Sequence, residues 1–364
     1  MNQKIKVAVI FGGKSAEHKV SLRSATNIVA ALDKSKYTPV LIGIDNNGQW
    51  HYHGDTMQLL HAADPAKIKM KKSTKVYLSQ NADEHSIIDS RDASTLSSID
   101  VIFPVLHGTY GEDGAIQGFA KIANLPCVGP GILGSAVGMD KDIMKRLLRD
   151  AGIGIADFIT LRKHSYHAMQ YQDVIDRLGH ELFIKPANMG SSVGISFIKS
   201  ESEFKPALEL AFQFDTKVIV EEKIVGREIE IAVLGNQEPR ASLPGEVIPQ
   251  GGFYSYERKY LDESGAVLEI PADLSDEQIE RLQNLSIDVY KCLELEGLSR
   301  VDVFLKPDNS IIVNEVNTLP GFTEISMYPT LWQISGIGKT DLIDRLIQLA
   351  LQKHQETEAL SVKY

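Results

Sequence analysis

The first third of the chain alternates short apolar runs with stretches of helical spacing. Residues 6–11, KVAVIF, are typical of a buried strand, and the run ends in Gly12-Gly13. Residues 21–32 then carry apolar side chains at helical spacing. This strand–loop–helix order is typical of the start of a doubly wound α/β fold. It predicts an α/β domain over residues 1–135. Further predicted elements are strands at 39–44 and 101–106 and a helix at 114–123.

The remaining pattern predicts two more layers. A small α+β lid domain is expected over residues 136–222, because short strands flank a loop of small residues. Longer strands and two helices predict a third domain over residues 223–364. The polar stretch 61–98 is expected to be an irregular excursion on the first domain. The predicted elements are helices at 139–151, 277–293 and 341–351 and strands at 182–186, 194–198, 218–221 and 228–234.

Composition narrows the class of protein. A chain of 364 residues is longer than one ordinary core, and 43% hydrophobic with 24% charged residues is typical of globular proteins. The net charge of −10 argues against a nucleic-acid partner. Cys127 and Cys292 lie far apart, which indicates neither a disulfide framework nor a zinc site. Since no apolar stretch reaches the ~18 residues of a membrane span, we expect a cytoplasmic protein.

A predicted hairpin in the last quarter of the chain carries oxygen-bearing side chains. Strands at 299–305 and 311–316 flank a Pro-Asp-Asn turn. Glu315 and Asn317 are two residues apart and share a face, and Asp302 lies on the partner strand. Magnesium takes such oxygens together with waters and substrate phosphates. We therefore expect a magnesium–nucleotide site, although a solvated polar edge is the alternative.

Residues 185–194, KPANMGSSVG, join two predicted strands through a loop of small residues. Such a loop lets backbone N–H groups and serine hydroxyls approach a phosphate. It is not a P-loop, because G-x-x-x-x-G-K-[ST] is absent. Lys185 at the start of the loop and Lys141 in the upstream helix favour a triphosphate site over an ordinary flexible hairpin.

Other segments carry weaker signals. The strand ending in Glu221 is followed by Glu228, and such acids can hold ribose, although terminal acids are usually only solvated. Glu17 follows the first glycine loop, where α/β proteins bind ligands, and is a candidate for gripping an amine. Its alternative role is to complement the helix dipole. His107, in the glycine-rich segment HGTYGEDG, is interpreted as a positioning residue.

Residues 251–260, GGFYSYERKY, combine glycines with aromatic and basic side chains. This composition suits a mobile flap that excludes water when it closes, and a surface β-hairpin is the alternative. Arg300 lies two residues before Asp302 and shares its face. It would place a cation where an oxyanion forms in acyl or phosphoryl transfer.

Seven motifs follow one another along nearly the whole chain. They are GGKSAEHKVS, HGTYGEDG, MDK, KPANMGSSVG, YSYERKY, RVD and NEVNTLPG. In this order they resemble the D-alanine–D-alanine ligases of the ATP-grasp superfamily. The resemblance implies a three-domain ATP-grasp architecture, with ATP held between the central and C-terminal domains, and a homodimer. It also implies ATP and D-alanine as substrates and a role in peptidoglycan precursor synthesis.

The same resemblance assigns nucleotide and metal roles by motif position. Lys141 and Lys185 would contact ATP phosphates, and Glu221 and Glu228 would hold adenine and ribose. Further nucleotide contacts would come from Ser192, Glu222, Ile224 and, at the γ-phosphate, the flap residue Lys259. Two magnesium ions, which manganese would be able to replace, would be bound by Asp302, Glu315 and Asn317.

The amino-acid substrates are assigned in the same way. Glu17 would anchor the ammonium of the first D-alanine, with His107 nearby. Ser191 and Tyr260 would form a hydrogen-bonded link to Glu17 that positions the second substrate, whose carboxylate would meet Ser326. Arg300 and the backbone of Gly321 would stabilise the tetrahedral intermediate.

The implied chemistry activates a carboxylate. ATP converts the first D-alanine to an acyl phosphate, which the amine of the second attacks, and a closing flap keeps water out. A D-alanine–D-lactate ligase shares nearly all of these residues and is the alternative, with Tyr260 as the discriminating position. A non-catalytic nucleotide sensor would have lost a metal ligand, and a dehydrogenase would need G-x-G-x-x-G, which is absent.

Overall fold

The computed structural model describes residues 4–56, 59–60, 68–79, 84–249 and 266–360. Three large sheets, of seven, four and six strands, fall one into each of the predicted domain ranges. This arrangement confirms the mixed α/β and α+β fold class, and the domain limits at residues 135 and 222 stay a prediction. Among the described helices, none has the length and apolar content to span a membrane.

The N-terminal sheet is parallel at its centre. Its first strand is buried from Val7 to Phe11, all 0% exposed, as expected for a central parallel strand covered on both faces. The elements are β1 (Ile5–Gly12), α1 (His18–Ala31), β2 (Tyr37–Ile44), β3 (Trp50–Tyr52), β4 (Leu59–Leu60), β5 (Lys69–Met70), β6 (Thr74–Leu78), β7 (Ser86–Asp89), β8 (Thr95–Ser98), β9 (Val101–Val105) and α2 (Ala115–Ile122). The strand order is β8-β7-β6-β3-β2-β1-β9.

The prediction that residues 61–98 are irregular is wrong for their described part. β6, β7 and β8 extend the sheet as an antiparallel meander beyond β3. In β6 the alternate residues Val76 and Leu78 face the core, at 4% and 5% exposure. This alternation covers only five residues, which is too short to stand out in a polar stretch.

The central layer is a four-stranded antiparallel sheet with four α-helices. The elements are α3 (Ile132–Met139), α4 (Lys141–Asp150), β10 (Phe158–Arg162), α5 (Tyr171–Leu178), β11 (Leu182–Pro186), β12 (Ser196–Ile198), α6 (Glu201–Ala211) and β13 (Lys217–Glu222). The helix predicted at 139–151 begins at Lys141, because the Asp140 side chain accepts hydrogen bonds from the backbone N–H groups of Asp142 and Ile143. The helix before it, α3, was not predicted.

The C-terminal layer contains the predicted hairpin. Its elements are β14 (Arg227–Gly235), β15 (Arg240–Ala241), β16 (Gly245–Pro249), β17 (Ala266–Glu269), α7 (Asp276–Cys292), β18 (Gly297–Leu305), β19 (Ile311–Asn317), α8 (Met327–Ile334) and α9 (Lys339–Glu358). The sheet order is β17-β16-β14-β18-β19, with β15 paired to β14. The hairpin predicted around the turn is therefore confirmed as β18 and β19.

One hydrophobic core joins the first and last sheets. It contains Leu22 of α1 and Leu346 of α9, both 0% exposed, together with Phe322 from the loop after β19. The Asn27 side chain of α1 donates to the Phe322 carbonyl at 2.8 Å. These contacts hold the loop after β1 close to the β18–β19 hairpin, so that both border the same space.

Candidate active site

The β18–β19 hairpin places the predicted metal ligands side by side. Asp302 pairs in register with Glu315, and Arg300 pairs with Asn317. The register shifts after Asp302, so Asn314 is an extra residue in β19 that forms a bulge. All five side chains border one cavity of about 180 Å³. The prediction that these ligands share a face is therefore confirmed.

Asp302 is held by two neighbours. Arg300 donates from Nε and Nη2 to its two carboxylate oxygens, each at 2.7 Å, and Asn317 Nδ2 donates at 2.9 Å. Glu230, opposite Asp302 on β14, lies 2.9 Å from Arg300 Nε. Burial would lower the pKa of Arg300, but the charges of Asp302 and Glu230 raise it. Glu230 was missed by the sequence analysis, although it lies two residues after Glu228 on the same face.

The donor set suits a hard divalent cation. Asp302 and Glu315 supply carboxylates and Asn317 supplies an amide oxygen, which are ligands that such cations prefer. Glu315 Oε2 also lies 3.3 Å from Lys141 Nζ. In the described ranges, no group of three or more His, Cys, Asp or Glu residues is placed to hold a metal. Because Asp302, Glu315 and Asn317 are three oxygen donors, an ion held there would complete its coordination with phosphate and water oxygens.

Lys185, at the start of the small-residue loop, lies beside a buried carboxylate. Its Nζ is 2.5 Å from Glu221 Oε2 and 3.4 Å from Asn314 Oδ1. The second oxygen of Glu221 lies 2.8 Å from Nζ of Lys145, a lysine with 0% exposure on α4. Burial would raise the pKa of Glu221, but the charges of Lys145 and Lys185 outweigh it and lower the pKa to about 2. Lys145 was not predicted, although it lies one helical turn after Lys141.

The start of α4 is fixed by further polar contacts. Lys141 Nζ donates to the Met189 carbonyl at 2.8 Å, so this lysine reaches the small-residue loop. Lys217, at the start of β13, bridges the helix to the sheet. Its Nζ is 2.5 Å from Asp140 Oδ1 and 3.4 Å from Asp142 Oδ2. The backbone of α4 is therefore anchored to the sheet by an ion-pair network that is separate from Glu221.

Glu17 lies in the loop after β1 of the first sheet, and Ser191 lies in the loop after β11 of the central sheet. Their side chains are in contact. The Ser191 hydroxyl donates to Glu17 Oε1, and Ser191 and Ser192 have left-handed backbone φ angles of 52° and 59°. Gly108 has a left-handed φ of 72°, and a Cβ atom there would lie 2.8 Å from Glu17 Oε2, so a side chain at this position would strain the backbone and displace the carboxylate. Within the described residues, the Glu17 side chain makes no capping hydrogen bond to α1. Glu17 borders the cavity that the hairpin side chains also line, which agrees with the amine-binding interpretation.

His107 joins two loops beneath the cavity. It is buried, with Nδ1 3.0 Å from the Leu319 carbonyl and Nε2 3.2 Å from the Ser24 hydroxyl. Burial would lower the pKa of His107, but the carboxylates of Glu112 and Glu17 raise it. These contacts link the loop after β9 to the loop after β19. They agree with a positioning role for His107.

Two other predicted residues make local contacts. Ser326 Oγ accepts a hydrogen bond from the Thr323 backbone at 2.9 Å and would lie 2.9 Å from a Cβ placed on Gly321. Glu222 Oε1 accepts from the Asp157 backbone at 2.9 Å. Ser326 and Gly321 are therefore adjacent at the cavity wall, whereas the Glu222 carboxylate is engaged at the edge of the central sheet.

The structure separates the predicted site residues into three sets. The cavity brings together Glu17, His107, Ser191, Glu228, Arg300, Asp302, Glu315, Asn317, Gly321 and Ser326. The residues on the central side that do not line it are Lys141, Lys185, Ser192, Glu221, Glu222 and Ile224. Lys259 and Tyr260 lie outside the described residues.

Comparison with known proteins agrees over the whole length. Family models described as D-ala D-ala ligase N-terminus and C-terminus match residues 6–130 and 147–348. D-alanine–D-alanine ligase A of Escherichia coli (strain K12) is 52% identical over 98% of this chain and 99% of its own length. D-alanine–D-alanine ligase of Oceanobacillus iheyensis is 50% identical, covering 98% of each chain.

Solved structures give the same picture. The D-alanine–D-alanine ligase of Coxiella burnetii superposes with a TM-score of 0.84 at 38% identity, covering 98% of this chain and 96% of that one. A D-Ala:D-Ser ligase of Enterococcus faecalis superposes with a TM-score of 0.82 at 36% identity, covering 96% of this chain and 100% of that one. The fold and the chain length are thus shared with enzymes that act on D-amino acids.

Proposed function

The chain belongs to the D-alanine–D-alanine ligase family, and we propose that it joins two D-alanine molecules into D-alanyl-D-alanine for peptidoglycan synthesis. The observation that carries this conclusion is the cavity described above. In it, the Glu17 carboxylate is bonded to Ser191 of the small-residue loop and shares the space with Arg300 and the metal donors. This arrangement supports the proposal that Glu17 binds an amine beside a phosphate and cation site.

Ligases of this family use ATP and a divalent metal. We assign the ATP phosphates to Lys141 and Lys185, and the 3.3 Å separation of Lys141 from Glu315 supports this, because it places a phosphate lysine beside a metal donor. When bound, the metal supplies positive charge that offsets the phosphates. We assign two Mg²⁺ ions, replaceable by Mn²⁺, to Asp302, Glu315 and Asn317. The remaining nucleotide contacts are assigned to Ser192, Glu221, Glu222, Ile224, Glu228 and Lys259.

The substrate residues act by charge and by exclusion of water. Glu17 binds the ammonium of the first D-alanine and orients its carboxylate toward the γ-phosphate. Arg300 and the Gly321 backbone offset the negative charge on the reacting carbon's oxygen when the second amine attacks. Ser326 binds the second carboxylate, and the predicted flap residue Tyr260 completes the link through Ser191. Closure of that flap would protect the acyl phosphate from hydrolysis.

The assembly and location of the enzyme are also proposals. We expect three domains divided at residues 135 and 222, a homodimer, and a cytoplasmic location. The three separate sheets support the division. The dimer and the location rest on the resemblance of the motifs to the family, and size-exclusion chromatography with light scattering would test the dimer.

The identity of the second substrate, whose nucleophile attacks the acyl phosphate, is a separate part of the proposal. The fold also occurs in a D-Ala:D-Ser ligase at 36% identity, so fold alone does not fix this substrate. The relatives at about 50% identity are named for D-alanine, and we therefore propose D-alanine rather than D-lactate. Replacing Tyr260 by Phe should shift the product ratio toward depsipeptide in a competition between labelled D-alanine and D-lactate. An unchanged product ratio would show that Tyr260 does not determine the choice between D-alanine and D-lactate.

A direct assay tests the whole proposal. Phosphate release from ATP is measured with D-alanine, L-alanine or D-lactate, offered separately and in pairs. We expect release and dipeptide formation with D-alanine alone and no product with L-alanine as first substrate, because Glu17 and the phosphate site fix both ends of the amino acid. L-alanyl dipeptide formed at a comparable rate would refute the assignment.

A further inference from the structure

Lys145 is a charged residue for which the proposed mechanism has no use. Its side chain is 0% exposed, and its Nζ lies 2.8 Å from Glu221 Oε1 and 5.8 Å from the centre of the Phe158 ring. Burial lowers the pKa of Lys145, and the Glu221 carboxylate opposes that shift. A buried ammonium of this kind is retained in a fold only where a specific partner offsets the loss of hydration.

The partner of Lys145 is shared with a lysine of the nucleotide site. Lys185 Nζ lies 2.5 Å from the other oxygen of Glu221, so one carboxylate faces two ammonium groups. The side chains differ in access: 12% of Lys185 is exposed, against 1% of Lys145 and 4% of Glu221. Only Lys185 can therefore leave the carboxylate for a ligand, while Lys145 stays behind it.

We propose that Lys145 is a positioning residue for ATP binding, which keeps Glu221 paired when Lys185 exchanges this carboxylate for a phosphate of ATP. The inference rests on the proposed function and deepens it. Without Lys145, the departure of Lys185 would leave a buried carboxylate unpaired, which is strongly unfavourable. Lys185 would then remain on Glu221, and the affinity for nucleotide would fall.

The first experiment measures nucleotide binding rather than turnover. Calorimetry with a non-hydrolysable ATP analogue and Mg²⁺ should show an affinity at least tenfold lower for Lys145→Met than for the wild type. Adding Glu221→Gln to Lys145→Met should raise the affinity at least threefold, because Lys185 is no longer held by an uncompensated charge and the Gln amide oxygen still accepts the hydrogen bond assigned to Glu221. Binding of Lys145→Met within twofold of the wild type, or a further loss in the double variant, would overturn the proposal.

A matched control separates positioning from general destabilisation. Lys217→Met removes another buried lysine from a carboxylate pair, and Lys217 contacts Asp140 and Asp142 rather than Glu221. Both variants should lower the unfolding temperature, but Lys217→Met should change the affinity for the analogue less than twofold. An equal loss of affinity in both variants would show a merely structural role.

A second comparison keeps the test decisive if Lys145→Met does not fold. Lys145→Met/Glu221→Gln removes both charges and is compared with Glu221→Gln alone. Equal affinities are expected, because Lys145 acts only through Glu221, and a further loss of more than twofold would refute this. If the wild type binds no analogue and forms no dipeptide, the proposed function fails as well. If it does both and Lys145→Met binds normally, the inference alone fails.

Discussion

The β18–β19 hairpin and the interface between α4 and β13 both carry charged side chains, but they differ in access to the cavity. Asp302 and Glu315 of the hairpin are 12% and 23% exposed at the side chain, whereas Lys145 and Glu221 of the interface are 1% and 4% exposed. A partly exposed carboxylate can exchange a protein partner for a ligand. The two members of a buried ion pair cannot separate in this way, because an unpaired buried charge costs several kcal/mol. We therefore expect the hairpin carboxylates to govern turnover, and the Lys145–Glu221 pair to govern stability and the release of Lys185 for nucleotide binding.

The largest effect is expected in the hairpin. Glu315→Gln should lower turnover at saturating magnesium by roughly a hundredfold to a thousandfold, because the carboxylate proposed to bind the metal at the reacting phosphate loses its charge. The free energy of unfolding should change by only about 1 kcal/mol, because Lys141 keeps its hydrogen bond to the Met189 carbonyl when Glu315 loses its charge. Phosphate release and urea unfolding measure the two quantities. Asp308→Asn, at the exposed hairpin turn, is the control, and wild-type turnover in Glu315→Gln would contradict the metal assignment.

The interface should show the opposite response. Lys217→Met removes the lysine from Asp140 and one of the two cations of Asp142, which keeps Arg146, and we expect the free energy of unfolding to fall by about 3 kcal/mol. Urea unfolding measures this loss, and Lys199→Met, which removes a lysine that is 61% exposed, should change stability by less than about 1 kcal/mol. Equal effects in the two variants would mean that burial does not distinguish the interface.

Glu230 lies between these extremes, because it borders the cavity and lies 2.9 Å from the guanidinium of Arg300. Glu230→Gln removes a charged partner of Arg300, and a loss of about 1.5 kcal/mol corresponds to roughly tenfold in turnover. The fall should appear in kcat, with the KM for ATP little changed. Glu246→Gln, which alters a carboxylate paired with Arg227 instead, should leave kcat intact. An effect of Glu230→Gln confined to KM would argue against positioning of Arg300.

The smallest expected effect is on the free energy of unfolding at acidic pH. The folded-state pKa of Glu221 is lowered to about 2, so its stabilising contribution is complete above the unfolded-state pKa near 4.5 and is lost as the pH falls toward 2. Between pH 5 and pH 3 the wild type should lose on the order of 1 kcal/mol more unfolding free energy than Glu221→Gln. Parallel stability curves for the two proteins over this range would show that the ion pair does not govern acid sensitivity.

Sequence reasoning succeeded where the relevant pattern is local. Glu315 and Asn317 share a face because strand geometry has a period of two, and the turn fixes their distance from Asp302. The bulge at Asn314 was not predictable in this way, since it depends on how the two strands pair. β6 to β8 were missed because each strand is short and its surroundings are polar.

Contacts between distant segments could not be derived from spacing. Glu17 and Ser191 are 174 positions apart, and their link was implied only by the resemblance of the motifs to a known family. The motif resemblance did not imply the pair formed by Lys145 and Glu221. The pattern of apolar and polar residues cannot show which buried lysine contacts which carboxylate. Helical spacing from Lys141 was the available signal, but it indicates a face of α4 and not a partner.

The core shared by α1 and α9 has a consequence for synthesis of the chain. α9 begins at Lys339, roughly 200 residues after α2 ends at Ile122, and it covers the face of the first sheet that α1 occupies. At ribosomal rates of about 5–20 residues per second, this face of the sheet stays uncovered for roughly 10–40 s before α9 is synthesised. The nascent N-terminal layer therefore carries an exposed apolar surface until translation nears its end, and such a surface favours aggregation.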